Sequence, residues 1–182
     1  MAEFCREFPA AQFCLRVGNT QAIAEAVAQF EVDLGLVEGA CHRDDLAIAP
    51  WLRDALVVVC APDSPLAGRE VSLEELRAAR WLLREAGSGT RETVETLLLE
   101  HLHGFERAMV LGSSEAIRGA AIAGLGLTCI PRRLVRDALD HGHLVTVRSP
   151  LPPMHRTLYL VHHQKKTFSQ PLQRFLQFCQ NW

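Results

Sequence analysis

The chain has 182 residues, of which 48% are apolar and 22% charged. That is the make-up of a folded globular chain, one domain or two small lobes, and it excludes a disordered or low-complexity one. Lys plus Arg total 19 against 21 Asp plus Glu, a formal net charge of -2, without the basic excess of a self-sufficient nucleic-acid binder. The cationic doublets Arg132-Arg133 and Lys165-Lys166 read as solvated charges. No apolar run approaches the ~18 residues of a membrane span. The first residues, Met1-Ala-Glu-Phe-Cys-Arg-Glu7, do not read as a signal peptide.

In chain order, residues 13–17 (Phe-Cys-Leu-Arg-Val) predict a strand. Ile23, Ala26, Val27 and Phe30 then share one helix face. Residues 33–37 predict the next strand, giving a strand–helix–strand unit expected to be parallel and right-handed. Apolar runs follow at 46–49 and 56–61, then the turn Ala61-Pro-Asp-Ser-Pro65. Ser72-Leu-Glu-Glu75 is a capping box opening a short helix. Trp81-Leu-Leu83 predicts a strand, leading through Gly87-Ser-Gly-Thr90 into a helix with Val94, Leu97, Leu98 and Leu102 buried.

Met109-Val-Leu111 predicts a strand, and Ser113 or Ser114 caps a helix carrying Ile117, Ala120 and Ala121. Strands at 127–130 and 158–161, a helix over 133–140 and a last helix with Phe168, Leu172, Phe175, Leu176 and Cys179 on one side complete the pattern. The alternation predicts an α/β class with two Rossmann-like lobes and mostly parallel sheets. The chain is expected to cross between lobes near 53–55 and 163–167. Lobe one takes residues 1–54 and 165–182, and lobe two takes 55–164.

The cysteines are Cys5, Cys14, Cys41, Cys60, Cys129 and Cys179, with no C-x-x-C pair. Cys14, Cys60, Cys129 and Cys179 sit among apolar neighbours and read as buried, reduced thiols of a cytoplasmic protein.

Parallel α/β sheets bind ligands beyond the carboxyl ends of their strands. Those positions hold Asn19 and Thr20, Glu38, Ser88-Gly89-Thr90, and Ser113-Ser114-Glu115. Three of the four are small, polar helix starts. They either cap their helices or present unpaired N–H groups to a carboxylate, phosphate or sulfate. Glu38 either meets a ligand amine or hydroxyl, or is solvated. The P-loop spacing and its lysine are missing, and so are G-x-S-x-G and H-E-x-x-H. His101 with His103, His141 with His143 and His162 with His163 lack a ligand spacing. The expectation is no metal, no cofactor and no catalysis.

Several segments together resemble the effector-binding domain of LysR-type transcriptional regulators. They are Val17-Gly-Asn-Thr20, Val32-Asp-Leu-Gly-Leu-Val-Glu-Gly39, Leu56-Val-Val-Val59, Ser64-Pro-Leu-Ala67, Arg84-Glu-Ala-Gly-Ser-Gly-Thr-Arg91, Ser113-Ser-Glu-Ala-Ile117, Ala123-Gly-Leu-Gly-Leu127 and Arg156-Thr-Leu-Tyr-Leu-Val161. The resemblance implies a periplasmic-binding-protein-like fold with two crossover segments and a small effector in the cleft. Asn19 and Thr20 would contact it from lobe one, and Ser88, Gly89 and Thr90, with Ser113, Ser114 and Glu115, from lobe two. It also implies a homodimer, a homotetramer at full length, and contact with DNA only through a helix-turn-helix that these residues do not include. The family's first strand is expected to be missing, with residues 3–9 the end of its first helix. The rival readings are a periplasmic solute-binding protein, and an enzyme on the same fold using Glu38 or Glu115.

Overall fold

The computed structural model describes residues 2–9, 11–39 and 41–180. In chain order the elements are α1 (Ala2–Glu7), α2 (Thr20–Ala28), β1 (Gly35–Glu38), β2 (Leu46–Cys60), α3 (Leu73–Ala78), β3 (Arg80–Arg84) and α4 (Gly89–Leu102). They continue with β4 (Arg107–Leu111), α5 (Ser114–Ile122), β5 (Thr128–Pro131), α6 (Arg132–Asp140), β6 (Val145–Thr146), β7 (Met154–His163) and α7 (Gln170–Gln180). The chain divides into unit 1, Met1–Leu52 with Leu158–Trp182, and unit 2, Arg53–Thr157. The strands β2 and β7 carry it from one unit to the other.

In unit 1, Asn19 starts α2 by accepting a hydrogen bond from the Ala22 amide at 2.9 Å. The buried face, Ile23, Ala24 and Val27, packs with Val37, Leu46 and Val161. β1 pairs antiparallel with β7, from Gly35 opposite Val161 to Glu38 opposite Leu158. A Cβ at Gly35 would lie 2.7 Å from the Val161 side chain and 2.8 Å from that of Ile23, so glycine sets how closely α2 approaches the sheet. The α1 side chain Phe4 is 1% exposed and meets the rings of Phe8, Phe13, Phe175 and Phe178 at centroid distances of 4.5, 5.5, 5.2 and 5.4 Å. The Trp51 indole donates to the Cys179 carbonyl at 2.6 Å and fixes the end of α7.

Several expectations for unit 1 fail, the parallel strand–helix–strand unit among them, since among the described residues no strand precedes α2, and β1 pairs antiparallel with β7. Residues 13–17 form no strand. Phe13, Leu15 and Val17 are 39%, 69% and 86% exposed, and Cys14 is exposed with them. A strand needs ladder bonds and cross-strand pairs. Here a groove of about 460 Å³, lined by residues 11–18 and 31–36 with Leu172 and Phe175, separates this segment from β1. Phe30 does not extend the α2 stripe either. The helix ends at Ala28, and Phe30 turns to φ 59° and lies against the His163 ring at 4.2 Å.

In unit 2, β2 pairs antiparallel with β5, from Leu56 opposite Pro131 to Val59 opposite Thr128. It also pairs antiparallel with β6 at Val59 and Cys60. β3 and β4 are parallel, from Arg80 opposite Arg107 to Arg84 opposite Leu111. The sheets are therefore not mostly parallel. Of the pairings with a described register, only β3–β4 is, extended by a single parallel bridge between Trp81 and Leu127. The chain leaving α5 pairs with β3 at that bridge and then joins β2 in the opposite sense. Hydrophobic alternation does not report strand direction. The two runs expected at 46–49 and 56–61 are one continuous strand, β2.

The core lies on both faces of β3. On one face Trp81, Leu83, Val94, Leu98 and Leu102 cluster, with the Trp81 indole donating to the Leu76 carbonyl at 2.7 Å. On the other, Leu82 meets Ile117, Ala121, Ile130 and Val135. Truncating a fully buried leucine such as Leu98 to alanine costs about 2–5 kcal/mol. The Ser72–Glu75 capping box forms at the start of α3 as the sequence predicts.

Candidate effector site

The site is built where the parallel pair β3–β4 ends. At the carboxyl end of β3 the chain turns through Gly87, whose φ of 83° suits glycine. Ser88 then caps α4, its hydroxyl accepting from the Arg91 amide at 3.4 Å. At the carboxyl end of β4, Ser113 caps α5, its hydroxyl accepting from the Ala116 amide at 3.1 Å. Two helices of 14 and 9 residues thus begin side by side on one strand edge. Each brings the partial positive charge of its first turn.

Between them is a cavity of about 10 Å³, lined among others by Arg84, Thr90, Arg91, Ser114 and Thr128. That is room for roughly one water-sized group. Arg84 spans the two helix starts. Its Nη1 donates to the Ser114 hydroxyl at 2.9 Å, while Nε and Nη2 hold both oxygens of Glu85 at 2.8 and 2.9 Å. Arg91 donates to the Arg84 carbonyl at 2.8 Å and to Glu95 at 2.7 Å. Thr90 is 3% exposed and accepts from Arg156 at 2.7 Å. Thr128 donates to the Leu82 carbonyl at 2.9 Å. The arginine and Thr128 donors are engaged with Glu85, Glu95, Ser114 and backbone carbonyls, and Leu82, Val94, Ile117 and Ile130 make the rest of the lining apolar.

The residues expected to carry binding separate into groups. Thr90 and Ser114 line the cavity, and Ser88 and Gly89 are buried in the turn behind it. Ser113 and Glu115 are exposed, and Glu115 pairs with Arg118 at 2.8 Å. In unit 1, Asn19 caps α2, and the Thr20 hydroxyl donates to the Glu38 carbonyl at 3.0 Å. That bond brings Thr20 and Glu38 together. The sequence reading did not select Arg84, Arg91, Thr128, Asp54 or Arg156. Among the described residues, no group of three or more His, Cys, Asp or Glu is placed to hold a metal, and no helix is long and apolar enough to cross a membrane.

Comparison with known proteins agrees with this fold. The LysR substrate binding domain model matches residues 1–182. The uncharacterised HTH-type transcriptional regulator YeiE of Escherichia coli K12 is 50% identical over 179 residues, 98% of this chain and 61% of that protein. The HTH-type transcriptional regulator CysL of Bacillus subtilis is 29% identical over 89% of this chain and 54% of its own length. The chain therefore spans little more than half the length of these relatives. Among solved structures, the Synechocystis CcmR regulatory domain in complex with 2-PG superposes with a TM-score of 0.87 at 28% identity, covering 99% of this chain and 87% of that one. The effector-binding domain of QuiR in complex with shikimate shares the fold, with a TM-score of 0.83 at 19% identity over 99% of this chain and 88% of that one. The chain belongs to the LysR substrate-binding-domain family, a family of effector-binding regulatory domains rather than of enzymes.

Proposed function

We propose that this chain is the sensing part of a LysR-type transcriptional regulator, and that its unit 2 binds a small anionic effector at the carboxyl ends of β3 and β4. The observation that carries the reading is the Arg84–Ser114 bond beside Thr90. It ties the end of β3 to the first turn of α5, and Arg91 of α4 donates to the Arg84 carbonyl, so two helix N-termini meet at one small cavity, and helix N-termini suit phosphate, sulfate or carboxylate groups. The cavity admits one oxygen of such a group, and the rest of the anion lies at its mouth. Ser88 and Gly89 shape the turn, and Thr90 and Ser114 supply hydroxyls. The similar CcmR domain, solved with 2-PG, supports a small effector. Contact with DNA is then made by a helix-turn-helix outside these 182 residues, in keeping with the HTH-type names of the relatives.

The test is thermal unfolding against sulfate, phosphate and a panel of small mono- and dicarboxylates. Ligand at 100 times its dissociation constant adds about 2.7 kcal/mol, which for a chain of this size raises Tm by roughly 5–10 °C. One anion class should give such a shift, and Ser88→Ala with Thr90→Ala should reduce it. A cooperative melt that no anion moves, or a shift the double variant keeps in full, contradicts the proposal.

A further inference from the structure

A buried ion pair in unit 2 ties the candidate site to both strands that carry the chain between units. Asp54 on β2 is 6% exposed and Arg156 on β7 is 5% exposed. Each lies one residue inside the limits of unit 2, Arg53 and Thr157. Arg156 Nη2 donates to Asp54 Oδ2 at 3.2 Å, and Nη1 donates to Thr90 Oγ1 at 2.7 Å. Thr90 is the second residue of α4. The other Asp54 oxygen lies 3.7 Å from Arg133 Nε at the start of α6.

Burying a charge pair is a poor way to gain stability, because apolar side chains of the same volume often serve as well or better. What a guanidinium does supply is fixed geometry. Its planar fork presents donors in set directions, one to the carboxylate and one to the hydroxyl here. Neither Asp54 nor Arg156 lines the cavity. They act on it through Thr90.

We propose that Asp54 and Arg156 are positioning residues that hold Thr90 in register with β2 and β7. A displacement at the start of α4 is then felt on both crossing strands, and a displacement of those strands is felt at Thr90. Such coupling is reciprocal. Its use in effector sensing rests on the function proposed above, but the coupling itself belongs to the unliganded chain.

The test is backbone amide hydrogen exchange of the chain without ligand, comparing Thr90→Val, Thr90→Ser and Arg156→Lys. Thr90→Val keeps the shape and removes the hydroxyl. It should speed exchange at residues 53–57 and 154–158 by about fivefold or more, the lower end of site-to-site couplings, while residues 81–83 and 108–110 hold the wild-type rate. Thr90→Ser keeps the hydroxyl and should match the wild type. Arg156→Lys should speed exchange at residues 89–92. Faster exchange confined to the mutated segment, a uniform rise across unit 2, or a Thr90→Ser variant that behaves like Thr90→Val each overturns the proposal. Anions that leave Tm unmoved would remove the effector reading and leave this result standing, so the two failures are separable.

Discussion

The Arg84 guanidinium donates to the Ser114 hydroxyl at 2.9 Å, joining the end of β3 to the first turn of α5. Arginine has no acceptor, so the serine oxygen accepts and its own proton points away from Arg84. Ser114→Ala should weaken the binding of the effector anion by about tenfold, the loss expected for one hydrogen bond to a charged group. Calorimetric titration checks this. Unchanged affinity would remove Ser114 from the site.

The thiols should divide by burial. Burial pushes Cys129 up to about 12 and raises Cys60 and Cys179, whereas Cys5 and Cys14 are exposed. The thiolate is the reacting form. Iodoacetamide at pH 8 should therefore modify Cys5 and Cys14 in the native chain, Cys41 more slowly, and the other three only on unfolding. Peptide mass mapping reads the order. Alkylation of Cys129 at the rate of Cys5 would contradict the fold.

Gly126 leaves no room for a side chain. A Cβ there would lie 2.5 Å from the Arg80 carbonyl oxygen, beside the bonds Leu82 N to Leu127 O at 2.8 Å and Leu127 N to Arg80 O at 3.0 Å. Backbone cannot yield as a flexible side chain can. Gly126→Ala should destabilise unit 2 by about 1–3 kcal/mol, measured by urea unfolding. Gly119, where a Cβ meets nothing within 4 Å, is the control expected to tolerate alanine.

The start of α3 should be acid-sensitive. Arg69 and the Ser72 amide hold the Glu75 carboxyl at about 2, against its ordinary 4.5. A depressed carboxyl stabilises the fold fully above the unfolded value and loses that contribution as pH falls to the folded one. Stability from this contact is thus complete above pH 4.5 and gone near pH 2. Urea midpoints of Glu75→Gln should fall less than those of the wild type between pH 5 and 2.5. Identical slopes would show that the Arg69–Glu75 contact does not form in solution.

Local chemistry was the legible part of this chain. Ser72, Ser88 and Ser113 cap their helices because the cap depends on a few adjacent residues. Residues 13–17 carry the same kind of apolar pattern as a strand, but a strand exists only where a partner strand meets it, and a groove lies there instead. The exposed Cys14 was misread with them. Direction was also illegible, since β5 and β3 look alike locally yet pair in opposite senses.

The site residues missed by sequence reasoning did leave a signal. Along β2 the buried positions Asp54, Leu56 and Val58 alternate with the less buried Ala55 and Val57, and along β7 Met154 and Arg156 flank the exposed His155. A charged residue on the inward side of a period-two strand marks a buried partner. Arg84 and Arg91 flank the Gly87–Thr90 turn in the sequence. Their convergence with Ser114 and Thr128 required the parallel pairing of β3 and β4.

The most direct test of the account is to titrate the amide spectrum of the chain with the anion that raises Tm most. The account predicts that shifts concentrate at residues 88–91 and 113–116, the two helix starts on the β3–β4 edge. Shifts confined to exposed cationic positions such as Arg132 or Lys165, with those two turns unmoved, would contradict it.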